Sequence, residues 1–303
     1  MAKFSTATHW GAYGVETEDG KIVSMKPFSE DPDPSPIGFG MPQALGDPVR
    51  IQQPMIRKGW LDRKDGKSTS RRGEGQYVAV SWEKAIKLVA GEIERVRETY
   101  GNNAIYAGSY GWASAGRFHH ANSQLHRFMA NAGGYVYSKN TYSLAAGDVI
   151  LPHIIGMGTF QQMEINTPLE MVAEHTKLLV SFGGIPIKNT QVEGGGMGLH
   201  HVRGALEKCK KNGVQFVNFG PIKSDMIDEV NSEWYANRPN TDVAIMMGLA
   251  HTIVSQNLHN QSFLETHCVG FGTFSDYLLG KNDKQPKDAE WASQISGISA
   301  DII

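Results

Sequence analysis

Leu178-Leu179-Val180-Ser181-Phe182 is a short apolar run followed by a glycine-rich loop, and it gives the clearest indication of the fold class. A helical pattern spans His200 to Lys211, and Val214 to Phe219 forms a second apolar run. Short apolar runs bounded by glycine predict buried strands. A strand, helix, strand order predicts a parallel pair with a right-handed crossover. The sequence therefore predicts an α/β fold, with a doubly wound domain over residues 171–303.

Outward from this unit, the pattern predicts two further helices. Asp242 to Ser255 is apolar and helical, with Thr241 or Asp242 as its cap. A second helix begins after Ser81, an expected N-cap, and stops at Gly101. An apolar strand, Ala104 to Ala107, is expected next. We assign residues 81–170 to a mixed α/β segment.

The first 80 residues predict short strands and turns. His9 to Val15 and Lys21 to Met25 are the expected strands, separated by a turn at residues 18–20. Four prolines between residues 27 and 36 disfavour regular helix there. Residues 1–80 are therefore expected to form an irregular, β-containing N-terminal region.

Composition excludes several function classes. The 303 residues carry 29 Lys and Arg against 31 Asp and Glu, so no general attraction to nucleic acid is expected. Cys209 and Cys268 cannot form a four-thiolate iron–sulfur cluster, and both are expected to be buried thiols. No apolar run suits a membrane span. The start lacks a leader pattern, which predicts a cytoplasmic protein, or a periplasmic one if a leader was removed.

Two loops carry candidate chemistry. Tyr110-Gly111-Trp112 and Thr141-Tyr142-Ser143 each follow a β-like stretch, where active-site residues often gather. By themselves they are more typical of a packing Trp and of a helix-capping Ser than of active-site residues.

The surrounding runs are more specific in order and spacing. They are Val80-Ser81-Trp82-Glu83-Lys84-Ala85, Tyr106-Ala107-Gly108-Ser109-Tyr110-Gly111-Trp112, Ala132-Gly133-Gly134, Tyr142-Ser143, Pro152-His153 and Thr241-Asp242-Val243-Ala244. Together they resemble the dimethyl sulfoxide reductase family of molybdopterin oxidoreductases. The resemblance is to its branch without an iron–sulfur cluster, which reduces sulfoxides and N-oxides, and it covers the N-terminal part of the multi-domain fold.

This resemblance implies a cofactor and a catalytic set. Molybdenum would be held by a bis(molybdopterin guanine dinucleotide) and by Ser143 as the protein ligand. Trp112, also a cofactor contact, and Tyr110 would donate hydrogen bonds toward the transferred oxygen. Tyr110 favours sulfoxides within the expected substrates, which are small S-oxides or N-oxides. Electrons would come from an external donor.

The resemblance also assigns the later loops to the guanine dinucleotides. Glycine backbone and a lysine at a strand end suit a pyrophosphate, and a carboxylate accepts from a guanine edge. Without the resemblance, such loops are equally typical of ordinary strand ends. The candidate residues are Gly183, Gly184, Pro186, Lys188, Thr190, Gly220, Pro221, Lys223, Ser224, Thr241 and Asp242.

Three alternatives stay open at this point. Family members are more than twice this length, so we expect either a fragment or one half of a split enzyme that needs a second polypeptide. The sequence at residues 160–168 departs from the family's usual pattern, which leaves a hydroxylase or dehydrogenase as a second function. A non-catalytic assembly or binding module is the third.

Overall fold

The computed structural model describes residues 1–62, 73, 75–109, 120–193 and 196–303. The chain divides into two compact units. Unit 1 comprises residues 1–166 and 191–199, and unit 2 comprises residues 167–190 and 200–303. The sequence-based domain boundaries at residues 80 and 170 stay a prediction.

Unit 1 opens with an antiparallel sheet in the order β1-β2-β3, and two further strands pair separately. The prediction of a strand from His9 to Val15 is wrong at its start, because His9 and Trp10 form the turn between β1 and β2. An additional strand precedes that turn. The strands are β1 (Ala2–Thr8), β2 (Gly11–Glu18), β3 (Lys21–Pro27), β4 (Met55–Arg57) and β5 (Tyr77–Ala79).

Tyr13 anchors the first sheet. Its ring is buried, and its hydroxyl donates toward the carbonyls of Trp10 at 3.2 Å and Ser35 at 3.3 Å. Burial raises the pKa of the Tyr13 phenol, and Asp31 adds to the effect. A Cβ at Gly38 would lie 2.3 Å from the Tyr13 ring, so only glycine fits there.

The helices of unit 1 include the predicted helix after Ser81, which is confirmed. Ser81 Oγ accepts from the Lys84 amide at 3.2 Å, and Gly101 ends the helix with a φ of +78°. Its apolar face is exposed, since Trp82 is 71% accessible. The helices are α1 (Ile37–Ala44), α2 (Lys58–Leu61), α3 (Trp82–Tyr100), α4 (Ala121–Asn131), α5 (Ala145–Ile154) and α6 (Thr159–Glu164).

The predicted strand from Ala104 to Ala107 is wrong. A 3-10 turn occupies Asn102–Ala104, and a single parallel bridge joins Tyr106 to Val136. Asn102 Nδ2 donates to the Gly134 carbonyl at 2.7 Å, which fixes this crossing without an extended ladder. Tyr110 and Trp112, which follow this bridge in the sequence, lie outside the described residues.

Unit 2 confirms the predicted parallel pair. Its sheet is parallel in the order β6-β7-β8, with β6 (Leu178–Phe182), β7 (Gln215–Phe219) and β8 (Glu233–Tyr235). The crossover helix is confirmed and begins at Val202. The helices are α7 (Leu169–His175), α8 (Val202–Lys211), α9 (Asp242–Ser255), α10 (Gln261–His267), α11 (Phe271–Leu278) and α12 (Ala289–Ser296).

The core of unit 2 forms between α7, α8 and the sheet. Leu206, Val214 and Phe216 are buried there with Cys209, and burial raises the pKa of the Cys209 thiol. Cys268 is exposed, so the expectation of two buried thiols is wrong for this residue. It follows the short helix α10 at the surface. No helix among the described residues is both long enough and apolar enough to cross a membrane.

Candidate cofactor and active site

Ser143, the candidate metal ligand, lies in an exposed polar turn of unit 1. It precedes α5, whose N-cap position is Leu144, so Ser143 is not the cap of that helix. Thr141 Oγ1 lies 3.1 Å from Ser143 Oγ and accepts from the Ser143 amide at 3.2 Å. The neighbouring Tyr142 is 95% exposed. The Ser143 hydroxyl is therefore held by a local hydrogen bond beside an open surface.

A cavity of about 360 Å³ borders this turn. Residues on both sides of the Tyr106 bridge line it, and the segment just before Tyr110 contributes one wall. His126 contacts the Tyr135 hydroxyl beside it. The lining residues are Tyr106, Ala107, Gly108, Ser109, His126, Tyr137, Ser138, Asn140, Thr141 and Tyr142.

The carboxyl ends of the three parallel strands in unit 2 form a stacked aromatic row. Phe182 stacks on Phe219 at a centroid distance of 5.4 Å, and Phe219 stacks on Tyr235 at 5.5 Å. Glu233, which accepts from the Tyr235 hydroxyl, raises the pKa of that phenol. The row holds the strand ends level, so the loops that follow them leave the sheet at the same edge.

Glycines follow β6 and β7 at this edge. The Gly183 amide donates to the Phe219 carbonyl at 2.7 Å, and the Gly220 amide donates to the Tyr235 carbonyl at 3.2 Å. Gly183 has a φ of +96°, and a Cβ there would meet nothing within 4 Å. Gly184 has a φ of +75°, and its Cβ would lie 2.2 Å from the Asp225 carbonyl oxygen. Gly184 thus permits close packing, whereas Gly183 presents bare backbone to open space.

The two loops meet at an ion pair. Lys188 Nζ lies 2.6 Å from Asp225 Oδ1, with the Lys188 side chain 63% exposed and that of Asp225 18% exposed. A cavity of about 360 Å³ beside the pair is lined by Pro186, Lys188 and Ser224, together with Arg203, which pairs with Glu229 at 2.9 Å. The structure therefore brings three candidate residues from two loops into one cavity.

The other candidates of these loops have more local surroundings. Thr190 Oγ1 donates to the Ile187 carbonyl at 2.9 Å, which closes the 3-10 turn Ile187–Thr190. Pro221 and Lys223 are exposed beside Ser224. These three residues do not line the cavity beside the ion pair.

Thr241 and Asp242 lie at a separate turn, at the start of α9. The Thr241 side chain does not cap the helix, because its Oγ1 donates to the Arg238 carbonyl at 2.6 Å. Asn237, only 4% exposed, donates from Nδ2 to Asp242 Oδ1 at 3.0 Å. Asn237 thus orients the candidate guanine-binding carboxylate.

Sequence reasoning missed Asn237 and also missed a buried pair, Ser181 and Asn218. Ser181 and Asn218 are register partners on β6 and β7, and Ser181 Oγ donates to Asn218 Oδ1 at 2.9 Å. Asn218 is fully buried, and within the described part of the chain its Nδ2 has no hydrogen-bond partner. The available signal was one polar residue inside each apolar run, next to its carboxyl end.

A parallel sheet with glycines directly after neighbouring strands is the arrangement of α/β nucleotide-binding proteins. Comparison with known families narrows this class. A molybdopterin oxidoreductase model matches residues 50–299, and a molybdopterin oxidoreductase N-terminal domain model matches residues 6–45. The chain belongs to the molybdopterin oxidoreductase family.

Curated relatives agree with this assignment. A dimethyl sulfoxide/trimethylamine N-oxide reductase of Rhodobacter capsulatus is 38% identical over 98% of this chain and 36% of its own length. A biotin sulfoxide reductase of Cereibacter sphaeroides is 43% identical over 93% of this chain and 38% of its own length. A trimethylamine-N-oxide reductase of Haemophilus influenzae is 36% identical over all of this chain and 36% of its own length. The chain therefore spans little more than a third of these relatives.

Proposed function

We propose that this chain is part of a molybdenum-dependent reductase of small S-oxides or N-oxides. The observation that carries the proposal is the exposed Ser143 hydroxyl, held at 3.1 Å by Thr141, which itself lines the neighbouring cavity. Relatives named for reduction of sulfoxides and N-oxides align over nearly the whole chain, which supports the same substrate class. The catalytic residues in this proposal are Ser143, Tyr110 and Trp112.

The cofactor we propose is bis(molybdopterin guanine dinucleotide), and several candidate residues have chemistry that suits it. Gly183 leaves room for a phosphate group because no side chain blocks the strand end, and Lys188 offers a cation to it. Asp242 offers carboxylate oxygens to the N–H donors of a guanine edge. Ser143 offers one hard oxygen ligand to molybdenum.

The remaining candidates would bind the cofactor through the loops they occupy. Pro186 and Ser224 line the cavity beside Lys188. We assign Gly184, Thr190, Gly220, Pro221, Lys223 and Thr241 to the same nucleotide contacts, together with Trp112.

When bound, molybdenum would supply a two-electron centre for oxygen-atom transfer from the substrate. The chain's own contribution is then to hold and orient. Ser143 would hold the metal through Oγ, while Tyr110 and Trp112 would donate O–H and N–H hydrogen bonds toward the oxygen that leaves the substrate. Donors fixed before the reaction stabilise the charge that develops on that oxygen.

We further propose that an external donor supplies the electrons. We also propose that a further part of the protein, or a second polypeptide, completes the site. This part of the proposal rests on coverage, because the relatives extend well past the matched region.

The test is a reductase assay on the complete protein, loaded in a host that makes the cofactor. Reduced methyl viologen would supply electrons, with dimethyl sulfoxide, trimethylamine N-oxide and biotin sulfoxide as substrates. We expect turnover of at least one substrate, and a loss of more than about tenfold in Ser143→Ala. Ser255→Ala, which removes an exposed hydroxyl from α9, is the control. The same protein is also assayed in the oxidative direction, where turnover without any reductase activity would favour a hydroxylase or dehydrogenase. No turnover in either direction would favour a non-catalytic module.

A further inference from the structure

The turn before Ser143 contains a hydroxyl with no assigned role, that of Thr141. Asn140 starts the turn with a φ of +70°, a conformation that Asn tolerates, and its Oδ1 accepts from the Thr141 amide at 2.8 Å. This contact fixes the backbone of Thr141. The Thr141 side chain then lies between the Ser143 amide and the Ser143 hydroxyl.

The direction of the hydroxyl contact follows from proton counting. Either hydroxyl can donate across the 3.1 Å contact between Thr141 Oγ1 and Ser143 Oγ, because accepting the Ser143 N–H at 3.2 Å uses only one lone pair of Thr141 Oγ1. An Oγ bound to a metal ion as a deprotonated ligand has only lone pairs to offer. Thr141 is then the donor and Ser143 Oγ the acceptor, which makes the bond charge-assisted.

We propose that Thr141 is a positioning residue, which orients Ser143 Oγ as a metal ligand by donating a hydrogen bond to it. The inference rests on the proposed function, because it needs Ser143 to bind molybdenum. Residues that hydrogen-bond a ligand set its orientation and its donor strength toward the metal. The contribution of Thr141 is therefore electronic as well as geometric.

Two substitutions test this contribution. Thr141→Val keeps the shape but removes both donor and acceptor. Thr141→Ser keeps both. Thr266→Val, at an exposed position in α10, is the matched control.

The experiment measures the Mo(V) electron paramagnetic resonance spectrum and the molybdenum content of the complete, cofactor-loaded protein. We expect shifted g values in Thr141→Val, with molybdenum retention reduced about tenfold or more. Thr141→Ser and Thr266→Val should match the parent. Circular dichroism checks that each variant is folded, and the exposed turn makes misfolding a small risk.

Parent-like spectra and molybdenum content in Thr141→Val would overturn the inference if Ser143→Ala still alters both. A parent without molybdenum, or a Ser143→Ala spectrum identical to the parent's, would overturn the proposed function, and the role of Thr141 with it. The two failures are therefore distinguishable in one set of samples.

Discussion

Lys188 Nζ lies 2.6 Å from Asp225 Oδ1, and this ion pair joins the loop after β6 to the loop after β7. The same loops meet through backbone, since Gly184 packs against the Asp225 carbonyl. Lys188 is therefore presented at the sheet edge with one carboxylate partner already in place. A phosphate group that binds there must share or displace that partner.

Removing the carboxylate should strengthen anion binding. In Asp225→Asn, Lys188 loses its charged partner, so we expect GDP to bind about twofold to tenfold more tightly. Calorimetry on the complete protein from a host that cannot make the cofactor would measure this. The control is Asp276→Asn, which breaks the exposed pair with Lys281. Weaker GDP binding in Asp225→Asn would contradict the assignment, as would unchanged binding in Lys188→Met.

Gly184 should tolerate no side chain. Its positive φ alone costs alanine about 1–3 kcal/mol, and the contact with the Asp225 carbonyl adds to this cost. Urea denaturation of Gly184→Ala should therefore show a large loss of stability. Gly204→Ala is the matched control, because Gly204 is an exposed position in α8 with open space around it. There alanine should stabilise by about 0.5–1 kcal/mol. Equal effects at both positions would argue against the close packing.

Asn237 should contribute to both stability and guanine recognition. Asn237→Ala removes a buried donor to Asp242 and should destabilise unit 2 by about 1–3 kcal/mol in urea denaturation. It should also weaken GDP binding, because the Asp242 carboxylate loses its orientation. Asn282→Ala, at an exposed position, should change stability by less than about 0.5 kcal/mol. A stable variant with unchanged binding would remove Asn237 from the site.

Asp283 should make unit 2 sensitive to acid. Lys287, buried and hydrogen-bonded to Asp283 at 2.6 Å, lowers the pKa of the Asp283 carboxyl in the folded protein. Because the pKa of Asp283 is lower in the folded protein, its ionised carboxylate stabilises the fold at pH values above the unfolded pKa of about 3.9. This stabilisation is lost as the pH falls through the folded pKa. The urea midpoint should therefore drop less steeply below about pH 4 in Asp283→Asn. An identical pH profile in both proteins would contradict this.

The sequence predicted the elements that depend on local pattern. The bounds of β6 and α9 agree with the structure residue for residue, because apolar periodicity and the glycine after β6 are local signals. The strand proposed from His9 is wrong at its start, because His9 and Trp10 form the turn between β1 and β2. The strand proposed from Ala104 is wrong because Tyr106 pairs with distant chain, at Val136, through a single bridge. Composition likewise failed at Cys268, where a surface position overrides the usual burial of cysteine.

The site divides in the same way. The strand-end glycines and Lys188 were assigned to the cofactor through the resemblance, supported by their residue types at a strand end, and this role stays a prediction. The sequence did not predict the roles of Asp225, Asn237 or the Ser181–Asn218 pair, because these residues acquire their contacts through the fold. The sequence shows Ser181 and Asn218 as polar residues inside apolar runs. It does not show that they are register partners, since strand pairing is set by the tertiary structure.

Whether this protein binds a molybdenum guanine dinucleotide cofactor is tested by measuring molybdenum and guanine nucleotide in the complete protein, purified from a host that makes the cofactor. Our account predicts that both are present in a fixed ratio, and that Lys188→Met and Asn237→Ala reduce them together. A folded, complete protein containing neither molybdenum nor guanine nucleotide would contradict the account.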